Sequence, residues 1–197
     1  MTTAETLAEF LVATRTEDLS PQTTELAAMI IASTLASAAC GRHIGSAKVI
    51  RDVEVERGGR ADATLWFEPG IKLPMVGAAR ANALMSDAAA SDDSDLRNIV
   101  HAGTPLTATS LAIAERTGAA GEDVLAAIVL GYEAAGRMGE AIIPRFDFRG
   151  HHGCMGAAFA ATGAAVRLLD LDARQAAHAI VLTATSIGGV TKAADTS

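Results

Sequence analysis

Aromatic residues are scarce in this sequence, where phenylalanine, tryptophan and tyrosine together make up 4% of the 197 residues. The cores of β-sandwiches and β-barrels depend on aromatic and β-branched side chains, so this composition argues against both. Half of the residues are hydrophobic, and much of that half is alanine. Alanine and glycine let helices approach closely, and the chain is long enough to bury one core. The composition therefore predicts an all-α fold, a helical bundle.

Cysteine is almost absent, with only Cys40 and Cys154 in the chain. Two cysteines argue against a disulfide framework and favour reduced thiols. They also cannot by themselves ligate an iron–sulfur cluster, which usually needs more thiolates. Zinc is an alternative, through His151, His152 and Cys154 together with His101 and an aspartate. However, no paired ligand spacing such as CxxC or HExxH occurs, and we predict a protein without a metal or another cofactor.

Clustered basic charge is lacking as well. The net charge is −7, and the 16 lysines and arginines are scattered along the chain, so we predict no nucleic-acid partner. The first nine residues are polar and acidic and lack the basic start and apolar core of a signal peptide, which favours a cytoplasmic location. The longest apolar segment, Leu26–Cys40, is short and interrupted by hydroxyl side chains, so we expect no membrane association.

Helix start and stop signals run through most of the chain. Ser20 followed by Pro21 is typical of an N-cap and a first helical residue, and Asp172 with Gln175 has the pattern of a capping box. Only Ala63–Phe67 has the pattern of a strand. The predicted helices cover residues 21–41, 46–57, 74–90, 104–118, a segment that starts at 121, 154–169 and 172–188.

Three polar clusters interrupt the alanine-rich background: Ser91–Asp95, His101–Pro105 and Arg149–Cys154. In the last two, histidine stands in a loop just before a predicted helix. A helix N-terminus has unpaired N–H groups and a positive dipole end, which attract a carboxylate. An imidazole beside it can accept or deliver a proton near neutral pH. The alternative is structural, with a solvated helix end at the aspartates, a capping histidine at 101 and an exposed loop pair at 151 and 152.

The order of segments along the whole chain resembles one enzyme family. Segment 65–83 resembles a glycine turn and a proline that lead into a helix with an acid cluster. Ser86–Asp93 and His101–Pro105 resemble the family's acid-rich motif and its histidine–proline loop. Gly131-Tyr132-Glu133 and segment 151–171 resemble its later helices. The family is MmgE/PrpD, which includes enzymes similar to 2-methylcitrate dehydratase, cis-aconitate decarboxylase and iminodisuccinate epimerase.

The resemblance implies a large helical domain, a smaller lid domain, a homodimer and catalysis without metal. It also implies active-site roles for His101 and for one of His151 and His152. The spacing to the Leu-Leu-Asp-Leu sequence at 168–171 favours His151, whereas the local pattern Gly-x-His-Gly favours His152.

The chain departs from the family pattern near the acid cluster. The family often has an aspartate two residues before position 92, where this chain has Ala90. An extra residue also separates Asp93 from His101. Either Asp92 or Asp93 takes over the role of that acid, or the chemistry differs from that of the decarboxylases.

The favoured interpretation is an enzyme that acts on a small di- or tricarboxylic acid. We expect one of His101 and His151 to remove or deliver a proton next to a carboxylate, and Asp92 or Asp93 to orient a histidine. Elimination of water is the favoured reaction, and epimerisation through the same first step is the alternative. Helix N-termini and three side chains are expected to hold the substrate: Thr104, Arg145 and Arg149.

A second interpretation is a non-catalytic helical subunit or fragment that needs another chain. Residues 1–197 are assigned to one helical domain, and the resemblance implies further helices and the lid beyond Ser197. Several predicted helices are apolar nearly all round and therefore need neighbours. We expect a large hydrophobic contact with another polypeptide, either a second copy in a homo-oligomer or a complementing C-terminal chain.

Overall fold

The computed structural model describes residues 1–97, 100–142 and 155–188. Within these ranges 73% of the chain is helical and almost none is strand, which confirms the predicted all-α bundle. A turn of 3-10 helix covers Thr16–Asp18, and two short strands are β1 (Ala63–Thr64) and β2 (Lys72–Leu73). The helices are α1 (Thr3–Ala13), α2 (Pro21–Gly41), α3 (Gly45–Arg57), α4 (Met75–Ala88), α5 (Gly103–Thr117), α6 (Gly121–Ile142), α7 (Met155–Leu168) and α8 (Ala173–Ser186).

Side-chain caps mark the starts of α1, α2 and α8, and the predicted starts of α2 and α8 agree closely with the structure. α2 begins after Ser20, whose hydroxyl caps the helix, and α8 begins with the capping box of Asp172 and Gln175. The sequence analysis missed α1, although Thr2 and Glu5 form a capping box at its start. α1 is held by tertiary packing, because its apolar face lies against α8.

The strand predicted over Ala63–Phe67 is wrong in its extent. Only its first two residues form β1, antiparallel to β2, and Leu65 adds one further backbone hydrogen bond to the Ile71 carbonyl oxygen at 3.0 Å. Phe67 has a φ of 62°, a left-handed conformation that cannot continue a strand. The backbone N–H of Trp66 donates to Asn82 Oδ1 of α4 at 3.0 Å instead of pairing with β2. The segment therefore turns onto α4, a tertiary contact that no local pattern reveals.

The hairpin region ties the end of α5 to the beginning of α4. Glu115 of α5 accepts a hydrogen bond from the backbone N–H of Thr64 at 3.0 Å. Asp62 Oδ2 accepts two hydrogen bonds, from Arg116 Nη1 at 3.0 Å and from the backbone N–H of Met75 at 3.3 Å. The second of these satisfies an unpaired donor in the first turn of α4. α4 and α5 are thus held side by side.

α2 meets the length and hydropathy criteria of a membrane-spanning helix, with a mean hydropathy of 1.4 over its most apolar window. The helix extends back to Pro21, beyond the apolar segment Leu26–Cys40, and the expectation of no membrane association stays a prediction. One such helix near an N-terminus is weak evidence, since a core helix of a soluble protein passes the same test. In this bundle α2 packs against α4, α5 and α6.

The core depends on a close approach of α5, α6 and α7 at Gly131. A Cβ atom at Gly131 would overlap Leu106 Cδ2 of α5 and would lie 2.6 Å from the carbonyl oxygen of Ala160 of α7. Leu106 and Ala160 are both fully buried. Only glycine leaves room for this contact, which explains the glycine of the Gly-Tyr-Glu sequence.

We predict that Gly131→Ala destabilises the protein by about 1–3 kcal/mol, because the added methyl group forces a packed backbone apart. Urea unfolding monitored by circular dichroism measures the change. Gly121→Ala is the matched control on the same helix, since a Cβ there meets no atom within 4 Å. Equal unfolding midpoints for the two variants would contradict this account of the core.

Candidate active site

A cavity of about 400 Å³ lies beside α4 and the beginning of α5. Its α4 wall presents Arg80, Leu84 and Asp87, which share one face because they are spaced three or four residues apart. The remaining side chains come from α3, another position of α4, the loop after α4, the first turn of α5 and α7. They are Ile50, Ala83, Asp92, His101, Thr104, Pro105 and Ala157.

His101 is held in one tautomer by the backbone. Its Nδ1 lies 2.8 Å from the carbonyl oxygen of Asp93. A carbonyl oxygen can only accept, so Nδ1 donates, and in the neutral ring the lone pair is then on Nε2. The side chain is 41% exposed. His101 thus has the form of a general base, with an orienting contact on one nitrogen and a free lone pair on the other.

Asp92 supplies the negative charge next to this imidazole. Its side chain is only 7% exposed, and Oδ2 lies 3.4 Å from His101 Nδ1. The same oxygen lies 3.5 Å from the hydroxyl oxygen of Thr104. A buried carboxylate at this distance stabilises the imidazolium that forms when the ring takes up a proton.

Asp93 has a different role, at the N-terminus of α5. Its Oδ1 accepts a hydrogen bond from the backbone N–H of Gly103 at 2.8 Å, whereas Oδ2 is buried and has no hydrogen-bond partner among the residues that the structure describes. Burial raises the pKa of the Asp93 carboxyl, and the hydrogen bond from Gly103 partly opposes this. A Cβ at position 103 would overlap Oδ1, so the glycine of the His-Ala-Gly sequence makes room for the aspartate.

Buried hydroxyl groups connect the site to α2. Ser86 Oγ and Thr104 Oγ1 are 2.9 Å apart and join α4 to α5. Ser37 of α2 donates to the Ser86 carbonyl oxygen at 2.8 Å, and its Oγ also lies 2.9 Å from Ser91 Oγ. Satisfied buried polar networks of this kind hold their members in one arrangement. The hydroxyl of Thr104, expected to bind substrate, is therefore engaged with Ser86 and Asp92.

The structure brings together four of the residues that the sequence analysis singled out: Asp92, Asp93, His101 and Thr104. The other four lie outside the described residues: Arg145, Arg149, His151 and His152. The sequence analysis missed Arg80 and Asp87, although a signal was present. They are the only charged residues of the alanine-rich α4, and their spacing of seven puts them on one helical face.

In the described ranges, no group of three histidine, cysteine, aspartate or glutamate side chains is arranged to hold a metal ion. His151, His152 and Cys154, which carried the zinc alternative, lie outside those ranges. The prediction of a metal-free site stays a prediction.

The sequence matches the family model of the MmgE/PrpD N-terminal domain over residues 5–197. The chain belongs to the MmgE/PrpD family. No curated protein matches it. The family includes dehydratases, and the two motifs that resemble it in this MmgE/PrpD domain, Ser86–Asp93 and His101–Pro105, are those that meet at the cavity.

We predict that Asp93→Asn removes a pH dependence of stability. Folding raises the pKa of Asp93, so the folded state holds this proton more tightly than the unfolded state. The free energy of unfolding therefore falls as the pH rises from the ordinary aspartate pKa of about 3.9 through the raised value. An asparagine at position 93 cannot ionise, but its Oδ1 can still accept the hydrogen bond from the Gly103 N–H. Urea unfolding across this pH range should show the native protein losing stability relative to Asp93→Asn.

Asp95→Asn is the control of opposite sign. The Arg97 guanidinium lowers the pKa of Asp95 through a side-chain hydrogen bond, so the ionised Asp95 stabilises the fold above the ordinary pKa. The native protein should gain stability relative to Asp95→Asn as the pH rises toward about 4. Parallel profiles for the two variants would contradict the assignment for Asp93.

Proposed function

We propose that this domain carries part of the active site of a dehydratase that acts on a small di- or tricarboxylic acid. The observation that carries the proposal is the geometry of His101. Its Nδ1 contacts the Asp93 carbonyl oxygen and the Asp92 carboxylate. The His101 side chain also lines the cavity near the beginning of α5. Family membership supports the reaction class, because the family includes dehydratases.

His101 Nε2 removes the proton from the carbon next to a substrate carboxylate. The electrons of the broken C–H bond form the new C=C bond as the C–O bond of the neighbouring hydroxyl breaks. The leaving oxygen takes a proton from a second acid, His151 or His152, and departs as water. Asp92 stabilises the imidazolium of His101, and the Asp93 carbonyl keeps the ring in position.

The substrate carboxylates need positive partners, since each is an anion at neutral pH. The N-terminus of α5 provides the positive end of the helix dipole, while the N–H of Gly103 there is already bonded to Asp93. Arg145 and Arg149 are proposed as further ligands, and Thr104 lines the same cavity. The proposed elimination transfers no electrons or groups to a cofactor, and the positive partners of the carboxylate offset the charge that develops on it as the C–H bond breaks.

We also propose that the domain works in the cytoplasm, in contact with another copy or a complementing chain. Large apolar side chains are exposed on several helices of the described structure, α2 and α8 among them. Leu26 and Met29 of α2 are more than half exposed, as is Leu182 of α8. Exposed apolar surface of this kind is typical of faces that pack against protein.

Incubation of the protein with hydroxylated di- and tricarboxylic acids in deuterated water tests the reaction class. We expect formation of an unsaturated acid, detected by its ultraviolet absorbance and by mass spectrometry. Incorporation of deuterium next to a carboxylate without alkene formation would overturn the dehydratase and favour an epimerase. No change in any acid, with activity restored by a second polypeptide, would favour the incomplete-subunit interpretation.

We predict that His101→Asn lowers kcat by about a hundred- to ten-thousand-fold, the usual contribution of a general base. The asparagine amide N–H can replace the Nδ1 donor to Asp93, so the fold is retained while the basic Nε2 is lost. His43→Asn is the matched control, because His43 is exposed and does not line the cavity. Turnover of His101→Asn at the native rate, with an unchanged far-ultraviolet spectrum, would remove His101 from the mechanism.

A further inference from the structure

The side chains that line the cavity in the described part of the chain include one arginine, Arg80 of α4. Asp87 and Asp92 line the same cavity and are negative. A polycarboxylate entering this space meets repulsion from the aspartates unless a cation offsets it. Arg80, whose side chain is 50% exposed, is placed to provide that charge.

A buried carboxylate on α3 fixes the position of this guanidinium. The Glu54 side chain is 6% exposed, and its Oε1 accepts a hydrogen bond from Arg80 Nη1 at 2.7 Å. The same oxygen accepts one from Arg57 Nη1 at 3.1 Å. Two guanidinium groups and one carboxylate carry a net charge of +1. A guanidinium has five N–H donors, so one bond to Glu54 leaves donors for a ligand carboxylate.

The position of Arg80 along α4 indicates how far it lies from His101. Arg80 precedes Asp87 by seven residues, which corresponds to about 10 Å along the helix axis. Asp87 lies near the C-terminal end of α4, close in sequence to Asp92, which contacts His101. Ala83 and Leu84 lie between them on the cavity wall. The wall therefore has a cation towards one end, an apolar middle and the proton-transfer group beyond the other end.

We propose that Arg80, positioned by Glu54, binds the carboxylate of the substrate that is remote from the reacting carbon. The carbon chain then lies against Ala83 and Leu84, and the reacting end reaches His101. Arg80 is thereby a specificity-determining residue that selects di- and tricarboxylic acids over monocarboxylic acids. This inference rests on the proposed function, since it assigns the substrate class of the same site.

Arg80→Gln tests the role of the charge in turnover. A lost ionic hydrogen bond to a substrate carboxylate should raise KM for the polycarboxylic substrate by about 10- to 100-fold, with a much smaller change in kcat. Arg57→Gln is the matched control, because Arg57 bonds to the same Glu54 oxygen but is 60% exposed and does not line the cavity. Its KM should remain within about twofold of the native value. Arg80→Lys retains the charge and should give an intermediate KM.

Binding can be measured without turnover, using tricarballylate as a tricarboxylate without a hydroxyl group and butyrate as its monocarboxylate counterpart. Tricarballylate should raise the Tm of the native protein and of Arg57→Gln, but not that of Arg80→Gln. Butyrate should have no effect on any of them. If Arg80→Gln misfolds, Arg80→Lys and Glu54→Gln carry the test, and both should weaken the response to tricarballylate.

Two outcomes overturn the inference, and they are distinguishable. In the first, the native protein converts polycarboxylic acids, but the KM and the Tm response of Arg80→Gln match those of Arg57→Gln. This result would remove Arg80 from substrate recognition and leave the proposed function standing. A native protein that neither binds nor converts any of the acids would contradict the proposed function and, with it, the role of Arg80.

Discussion

Asp93 makes two contacts on which the geometry of the site depends. Its carboxylate accepts the backbone N–H of Gly103, and its carbonyl oxygen accepts Nδ1 of His101. One residue therefore anchors the beginning of α5 and also selects the tautomer of the histidine just before it. If either contact is lost, the imidazole is free to rotate about its side-chain bonds, and Nε2 no longer has a fixed direction. Asp92 depends on this arrangement, because its carboxylate can act only on a ring that is already in place.

The same arrangement has an energetic cost. Asp93 is a largely buried carboxyl with a raised pKa, and in the described part of the chain one of its oxygens has no hydrogen-bond partner. A residue chosen only for stability would avoid this. Unsatisfied buried groups tend to persist where a site needs them. The network of Ser37, Ser86 and Thr104 offsets part of the cost by fixing the surrounding hydroxyl groups.

The sequence predicted those features that short segments determine. The start of α2 at Pro21 and the capping box at Asp172 follow from side chains within three residues of the helix end. The histidine just before a helix N-terminus was also predicted, because Thr104 followed by Pro105 indicates a helix start, and α5 begins one residue earlier at Gly103. Caps and apolar spacing are local, so a single sequence reveals them.

Features that depend on tertiary contacts were missed or left open. The strand after Ala63 was predicted too long because Trp66 bonds to α4 instead of to β2. The division of roles between Asp92 and Asp93 could not be read from two adjacent identical residues, since it depends on which carboxylate meets Gly103. Arg80 carried a usable signal in its spacing from Asp87, but its importance depends on Glu54 of another helix.

The pairing of α4 and α5 at both ends has a consequence for motion. Asp62 joins the beginning of α4 to the last turn of α5, and Ser86 with Thr104 joins their opposite ends. Because α4 and α5 are joined at both ends, neither helix can hinge or slide against the other without breaking these hydrogen bonds. The cavity wall that they form is therefore a fixed template, whose width does not adapt to its ligand. Any opening that admits a substrate must come from the elements that face this wall.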